Sequence, residues 1–200
     1  MTGTPALLWT DCESSSLDER TGNLLEVGFR VTDADLATIT EASWVVWYRP
    51  VTIANIRAES DAAVRLMHDA SGLWAECTGT ADDLGYEYAR DWFRDGTRAA
   101  EIIEWLLGSG AKGMPLAGST VGFDRRWLNH WLPGFEQIPH YRSVDVSTVK
   151  ILMQLWAPDR LTDAPVPAKR HRVMPDLDDS IAELAHYRRV LGLDLAEVAR

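Results

Sequence analysis

Two acidic residues at the end of one apolar stretch constrain this chain more than any other feature. The stretch from Ala6 to Leu17 begins with apolar residues, as a buried strand does, and then places Asp11 and Glu13 two residues apart. Residues i and i+2 of a strand point to the same face, so these carboxylates project side by side. Carboxylates this close repel each other unless a cation lies between them, and hard cations such as Mg²⁺ prefer oxygen ligands. The pattern favours a metal site; the alternative is a strand edge with two solvated acids.

The rest of the chain predicts an α/β fold. Strands are expected at Leu24–Thr32 and Thr38–Tyr48, and with the first strand they form an antiparallel meander that Pro50 ends. The later elements are expected to be helices over Asp61–His68, Glu87–Leu107 (interrupted at Asp95-Gly96, with Thr97 as N-cap of the second part), Phe123–Trp131, Ser147–Trp156 and Pro175–Leu191, and short strands over Pro115–Ser119 and Ser143–Val146. This order predicts a mixed central sheet, antiparallel in its first three strands and flanked by helices. No repeat or linker divides the 200 residues, so we expect a single domain.

Composition limits the partners that this chain can bind. It has 30 acids against 20 bases, whereas proteins that hold long duplex nucleic acid neutralise many phosphates with Lys and Arg. Long duplexes are therefore disfavoured, but a short anionic ligand is not. No apolar run reaches the roughly 18 residues of a membrane span, and the first residues lack the basic region of a secretory signal. With two cysteines, Cys12 and Cys77, we expect a cytoplasmic protein with free thiols.

Three further acids lie in or beside predicted strands and helices. Asp124 follows a Gly-rich strand end, Asp145 lies within the short strand Ser143–Val146, and Asp176 begins the last helix, five residues after His171. An acid at a helix start complements the helix dipole, so each of these acids taken alone suits a structural role. Their combination with the acidic pair on the first strand favours one shared site.

The order and spacing of these residues resemble the exonuclease superfamily named for its Asp-Glu-Asp-Asp carboxylates, in the branch with a histidine five residues before the last Asp (DEDDh). Within that superfamily the chain resembles the oligoribonucleases. The matching stretches are Trp9-Thr-Asp-Cys-Glu, Val31-Thr-Asp-Ala-Asp-Leu, His68-Asp-Ala-Ser-Gly-Leu, Gly122-Phe-Asp-Arg-Arg, His140-Tyr-Arg-Ser-Val-Asp-Val-Ser-Thr-Val-Lys and Asp179-Ser-Ile-Ala-Glu-Leu-Ala-His-Tyr-Arg. The resemblance implies one exonuclease domain with a ribonuclease H-like fold and a core over residues 6–191.

The family resemblance implies two-metal chemistry. Two Mg²⁺ or Mn²⁺ ions, about 3.5–4 Å apart, would be held by Asp11, Glu13, Asp124 and Asp176. One ion would lower the pKa of a bound water, and the other would stabilise the leaving 3′ oxygen. His171 would accept the proton of the water, because a histidine with an ordinary pKa near 6.5 is a base at neutral pH. Without Asp176 at this spacing, His171 would be interpreted as a solvated residue of a basic turn.

The resemblance also implies that the enzyme hydrolyses very short RNA, especially dinucleotides, from the 3′ end to mononucleotides. Leu17 matches a leucine that wedges between the two bases, and His68 matches an aromatic platform that stacks on one of them. The residues that match a cap for the terminal 5′ phosphate, contributed across a homodimer by a second protomer, are Thr120, Arg142, Ser147 and Thr148. Such a cap would close the site behind the second nucleotide.

Two of the cap residues also suit structural roles, and several positions depart from the family pattern. Ser147 suits the N-cap of the helix that follows it, and Arg142 suits a surface ion pair. The departures are Ser14-Ser15-Ser16 in place of Met-Thr-Gly, Phe123 in place of Gln, Thr120 in place of Ser, and Pro175 in place of an acid. They concern base and length preference, since none removes a predicted metal ligand or the base.

Three other functions stay open on the sequence alone. A DEDDh exonuclease that acts on longer single-stranded RNA or DNA ends would need no phosphate cap. A catalytically silent nucleotide-binding module would bind without cleaving, although all four carboxylates and the histidine are present. A structural α/β domain rich in acids would require all these spacings to be coincidental.

Overall fold

One five-stranded sheet forms the centre of the protein in its computed structural model, which describes residues 3–78, 97–161 and 163–193. The strands are β1 (Leu7–Ser14), β2 (Leu24–Thr32), β3 (Thr38–Val45), β4 (Pro115–Gly118) and β5 (His140–Asp145). They lie in the order β3-β2-β1-β4-β5. The pairs β1–β2 and β2–β3 are antiparallel, and β1–β4 and β4–β5 are parallel. The predicted mixed sheet is therefore confirmed.

Helices flank this sheet. Within the described ranges they are α1 (Pro50–Glu59), α2 (Ala62–Ser71), α3 (Leu73–Glu76), α4 (Thr97–Gly108), α5 (Gly122–Trp131), α6 (Val146–Trp156) and α7 (Val173–Val190), with 3₁₀ turns at Phe135–Gln137 and Pro158–Leu161. The first part of the predicted helix from Glu87, with its interruption at Asp95-Gly96, lies outside the described residues. Among the described helices, none is long and apolar enough to cross a membrane.

The chain after β3 differs from the prediction. The strand ends at Val45 rather than Tyr48. Pro50, which was predicted to end the strand, is the first residue of α1. Tyr48 still forms an isolated bridge with Thr78, and its hydroxyl donates a hydrogen bond to the Leu24 carbonyl at 2.6 Å. Helix α1 is absent from the sequence-based prediction because its first turns are rich in β-branched residues, which favour strands.

The elements nearest the predicted site begin earlier than predicted. Strand β5 starts at His140 rather than Ser143, and α7 starts at Val173 rather than Pro175. Pro175 is therefore not the first helical residue, but it lies in the first turn, where backbone N–H groups have no intrahelical partner. The other described elements agree with their predicted ranges to within a few residues; α2 continues to Ser71, where Gly72 at φ 77° ends it.

Alternation along β1 sends its side chains to the two faces of the sheet. Leu8 and Cys12 belong to the larger core cluster, which includes residues of α4 and α5. Trp9 belongs to a second cluster with residues of α6 and α7. Asp11 and Glu13 lie two and four residues after Trp9 in the strand, so their side chains point to the same face as Trp9, which α7 covers.

A glycine lets α7 approach this face closely. Gly28 of β2 lies opposite Asp11 in the register of the two strands. A Cβ atom at Gly28 would lie 2.7 Å from Cγ2 of Val173, the first residue of α7, so a side chain there would push the helix away. The start of α7 therefore lies directly against the strands that carry the acidic pair.

Candidate active site

Acidic side chains from three elements lie at the carboxyl ends of β1 and β4. Asp11 and Glu13 project from β1, while Asp124 and Asp176 lie in the first turns of α5 and α7. His171 lies in the loop that leads into α7. Glu13, His171 and Asp176 each offer a ligand atom, and these atoms lie within 4.8 Å of one another. The tertiary structure thus brings together side chains that are far apart in the sequence.

Burial and mutual repulsion raise the pKa of the clustered carboxyl groups. Glu13 is 6% exposed, and burial, followed by the charges of Asp11 and Asp176, raises its pKa to about 9. Burial and the charge of Asp176 raise the pKa of Asp11 to about 8. Burial also raises the pKa of Asp176, although the nearby His171 opposes this rise. The cluster therefore concentrates more negative charge than its own surroundings neutralise.

Asp124 is held from the side of β1. Its side chain is 3% exposed, and burial raises the pKa of its carboxyl group well above the ordinary value. The backbone N–H and the thiol of Cys12 donate hydrogen bonds to this carboxylate and oppose the rise. Burial raises the pKa of the Cys12 thiol, which keeps it protonated and able to donate. Cys12 and Cys77 are both free and buried, in agreement with the predicted free thiols.

The donor set fits a hard divalent cation. Carboxylate oxygens are the ligands that Mg²⁺ and Mn²⁺ prefer, and an imidazole nitrogen lies beside them. A cation among these groups would offset the repulsion that raises their pKa values. Of the four predicted ligands, Glu13 and Asp176 offer atoms to one such position together with His171.

His171 lies in a backbone conformation that is uncommon for residues other than glycine. Its φ is 53° and that of Lys169 is 47°, both in the left-handed region that favours glycine. The backbone N–H groups of Arg170 and His171 donate hydrogen bonds to the carboxylate of Asp176. The loop therefore folds back over the first turn of α7 and brings the imidazole beside Glu13 and Asp176.

A cavity of 230 Å³ joins this cluster to the ends of β4 and β5. Asp11, His171 and Asp176 line one part of it, and Ser147 and Lys150 of α6 line another. Further lining residues are Ser119, Pro167, Lys169, Asp179, Ser180 and Glu183. Three of the five predicted catalytic residues and one predicted cap residue thus face a common space.

Asp145 organises two of the predicted cap residues. One oxygen of its carboxylate accepts hydrogen bonds from the backbone N–H groups of Ser147, at 2.9 Å, and Thr120, at 3.0 Å. The hydroxyl groups of Thr120 and Ser147 lie 3.1 Å apart. Asp145, not Ser147, is therefore the N-cap of α6, because its side chain accepts the hydrogen bond from the first turn.

The other predicted substrate-binding residues lie outside this cavity in the single chain. Leu17 is 78% exposed in the turn after β1. Arg142 is exposed on β5, where its guanidinium carbon lies 5.2 Å from the centroid of the Tyr141 ring. Thr148 is exposed on α6. A ligand confined to the cavity would contact none of these three side chains.

His68 does not have the surroundings that a stacking platform needs. Its side chain is 0% exposed, and Nε2 lies 3.0 Å from the carbonyl oxygen of Ser14. The ring of Trp74 meets it edge-on, with centroids 5.3 Å apart. Burial lowers the pKa of His68, which leaves a neutral ring that donates to Ser14 and holds the end of β1. The sequence match does not anticipate this burial, which leaves the ring without an exposed face on which a base could stack.

Several residues of the site are absent from the sequence-based prediction. Glu26 is 3% exposed in β2, opposite Glu13, and Arg172 pairs with it through two hydrogen bonds. Lys150 in the cavity wall forms an ion pair with the buried Glu183 at 2.8 Å. An acid inside the otherwise apolar segment Leu24–Val27 is the signal that could have identified Glu26, because a buried charge requires a partner.

Comparisons with known proteins place the chain in a family. No family model matches it. The oligoribonuclease of Leifsonia xyli is 33% identical over 190 residues, which cover 94% of this chain and 84% of the relative. The oligoribonuclease of Xylella fastidiosa is 33% identical over 186 residues, which cover 93% of this chain and 89% of the relative.

Solved structures show the same fold. E. coli exonuclease I in a zinc-bound complex with single-stranded DNA has a TM-score of 0.58 and 13% identity, and the match covers 99% of this chain but only 43% of that one. Pop2p of S. pombe, in a form with bound Mg²⁺ and Mn²⁺, has a TM-score of 0.57 and 12% identity, over 92% of this chain and 83% of that one. The fold is therefore the ribonuclease H-like fold of the exonucleases. Because sequence identity exceeds 30% over most of both chains, this protein belongs to the oligoribonuclease family.

Proposed function

We propose that this member of the oligoribonuclease family is an exoribonuclease that removes nucleotides from the 3′ end of very short RNA and prefers dinucleotides. The proposal rests on one observation above the others: Glu13, His171 and Asp176 offer ligand atoms within 4.8 Å of one another. They do so beside a cavity that also contains Asp11. Carboxylates and a neighbouring base around a cation are what phosphodiester hydrolysis requires.

The proposed mechanism assigns a task to each side chain of the cluster. Asp11, Glu13, Asp124 and Asp176 would hold two Mg²⁺ or Mn²⁺ ions, which when bound supply Lewis acidity and an acidified water. His171 accepts a proton from the attacking water, which forms the new bond to phosphorus. The bond between phosphorus and the 3′ oxygen of the preceding nucleotide breaks, this oxygen takes up a proton from solvent to become a hydroxyl group, and the last nucleotide leaves as a 5′ monophosphate. Repulsion among the carboxylates before a cation binds favours the loaded site.

The preference for dinucleotides is supported by the far wall of the cavity. Asp145 fixes Thr120 and Ser147 at one end of the parallel strands, and Ser147 lines the same cavity as His171. The Ser147 hydroxyl and the ammonium group of Lys150 line the cavity and suit a terminal phosphate, and the Thr120 hydroxyl lies 3.1 Å from that of Ser147. A phosphate held there would leave room for few nucleotides before the metal ligands, and the acidic surface disfavours long polyanions.

A homodimer is the proposed assembly. The edge strand β5 and helix α6 carry exposed apolar side chains, namely Tyr141, Ile151, Leu155 and Trp156, the last of which is 75% exposed. A second copy that covers this face would also come close to the exposed Arg142 and Thr148. The family resemblance implies that residues of a second protomer complete the phosphate cap in this way.

A cleavage time course tests the proposal. With Mg²⁺ or Mn²⁺, 5′-labelled RNAs of two, three and seven nucleotides should be cut, the dinucleotide fastest. Asp11→Ala should abolish cleavage, and His171→Asn should slow it by about 10²–10⁴-fold, as loss of a general base does. His130→Asn, at an exposed position of α5, is the matched control and should leave the rates unchanged.

The remaining outcomes favour the competing functions. Equal rates on all three lengths would contradict the phosphate cap and favour an exonuclease that acts on longer single strands. Dinucleotide binding without any cleavage by the wild type would favour a catalytically silent module.

A further inference from the structure

Arg172 joins three elements at the edge of the candidate active site. Its Nε and Nη2 atoms donate hydrogen bonds to the two carboxylate oxygens of Glu26, at 2.9 and 3.2 Å. Its Nη1 and Nη2 atoms donate to the two carboxylate oxygens of Glu76, each at 2.7 Å. The planar guanidinium group holds both partners in a fixed geometry, which an ammonium group cannot do. We call this arrangement the Glu26–Arg172–Glu76 clamp.

The clamp reaches the strands that carry the metal-binding acids. Glu26 is the register partner of Glu13, so the two side chains project from neighbouring strands to the same face. Glu26 also accepts a hydrogen bond from the backbone N–H of Val173, at 3.4 Å. Arg172 is the N-cap residue of α7. The clamp therefore fixes the start of α7, and with it Asp176, against the strand beside Glu13.

The clamp also borders the residue that is proposed to act as the base. Residue 171 immediately precedes Arg172, and His171 has a left-handed φ of 53°. A non-glycine residue keeps such a conformation only when its surroundings hold it there. The loop over residues 164–172 contains no helix or strand, so contacts such as the clamp must hold its carboxyl end.

We propose that Arg172 is a positioning residue for catalysis, because the clamp sets the position of the His171 imidazole relative to Glu13 and Asp176. This inference rests on the proposed function. Arg172 itself does not touch the reacting atoms; it acts through the loop and through Glu26. It also neutralises Glu26, which would otherwise add an unpaired buried charge beside the metal-binding acids.

Three substitutions test the clamp, with a matched control in α7. Arg172→Gln should lower kcat on a dinucleotide by about 10–100-fold, as loss of a supporting contact to a metal site does. KM should change by less than about threefold, because substrate binding is not altered directly. Glu76→Gln removes only the exposed half of the clamp and should give a smaller loss. Arg172→Lys keeps the positive charge but cannot form the paired hydrogen bonds of a guanidinium group, so its kcat should lie between those of Arg172→Gln and the wild type.

Arg188→Gln is the control. Arg188 binds the β2–β3 turn from the other end of α7, through the Ala34 carbonyl at 3.3 Å and the Asp35 carboxylate at 3.6 Å. This variant should lower the melting temperature without a loss of kcat. The proposal is overturned if Arg172→Gln and Glu76→Gln lower the melting temperature as Arg188→Gln does but keep the wild-type kcat.

A second measurement does not depend on activity. In the metal-free protein, the Hε1 proton of His171, assigned with His171→Gln, should give one dispersed NMR signal. In Arg172→Gln this signal should move towards the position of histidine in an unfolded chain, whereas Arg188→Gln should leave it in place. If the wild type cleaves no RNA, the proposed function fails, and this signal alone decides the clamp. An unmoved signal would overturn the positioning role.

Discussion

At the scale of single residues, the proposed chemistry depends on carboxyl groups whose ionised form is unfavourable without a cation. Asp11 and Glu13 are adjacent on one face of β1 because a strand repeats every two residues. Burial under α7 then raises both pKa values, and Asp176 adds to the effect. A site with these properties binds protons and divalent cations in competition.

The raised pKa values predict how stability changes with pH. The pKa of Asp11 rises from 3.8 to about 8 in the folded protein. Between these values the folded chain holds a proton that the unfolded chain has released, so stability falls as pH rises through this window. The slope for one such carboxyl is at most about 1.4 kcal/mol per pH unit. Urea unfolding in EDTA at pH 5, 7 and 9 should show this fall in the free energy of unfolding. Replacing EDTA with Mn²⁺ should restore stability, most strongly at the highest pH.

Asp11→Asn is the variant that isolates the effect. The amide cannot titrate, and its neutral side chain relieves the repulsion on Glu13, so the slope of stability against pH should become shallower. Asp159→Asn, at an exposed position, should leave the slope unchanged. A wild-type protein that gains stability between pH 5 and 9 without metal would contradict the electrostatic description of the site.

At the scale of secondary-structure elements, Asp145 connects the start of α6 to the end of β4. Its carboxylate accepts from the Ser147 and Thr120 backbones, and Thr120 has a left-handed φ of 57°. One side chain thus caps a helix and holds the loop after the neighbouring strand. The predicted phosphate cap depends on this link for its geometry.

Loss of this link should affect stability and substrate binding together. Asp145→Ala should lower the free energy of unfolding by about 0.5–2 kcal/mol, the usual cost of losing an N-cap. It should also raise KM for a 5′-phosphorylated dinucleotide, because Thr120 and Ser147 lose their common acceptor. Asp145→Asn keeps an acceptor oxygen and should lose less of both. If Asp145→Ala is destabilised but its KM is unchanged, Thr120 and Ser147 do not contribute to phosphate binding.

At the scale of the whole molecule, one face stands out by its apolar side chains. Trp127 and Trp131 are buried in the core, whereas Trp156 at the end of α6 is largely exposed beside Leu155. Apolar groups of this size favour burial against a partner. The sheet ends at β5, so the same face also offers an edge strand.

Trp156→Glu should convert the proposed homodimer to monomers. A charge buried in an apolar interface is strongly unfavourable, so light scattering after gel filtration should give half the wild-type mass. Leu66→Glu, at an exposed apolar position of α2, should leave the mass unchanged. A monomeric wild type at micromolar concentration would contradict the dimer, and so would a dimeric Trp156→Glu.

The sequence alone determined the features that are local or that depend on spacing. Strand β2 was predicted with its observed bounds, because apolar runs between turn residues specify strands directly. The positions of Asp11, Glu13, Asp124, His171 and Asp176 identified the family, since their order and spacing are specific even when each residue alone is not. The mixed sheet followed from strands that precede alternating helices and strands.

Only the tertiary structure decided which side chains are buried and which groups they bind. Burial turned His68 from a predicted platform into a support for Ser14, and it left Trp156 outside the core that holds Trp127. The pairing of Arg172 with Glu26 joins residues 146 positions apart. Such contacts depend on how helices pack on the sheet, and no local pattern specifies that packing, because it arises from the combined shape and charge of many distant residues.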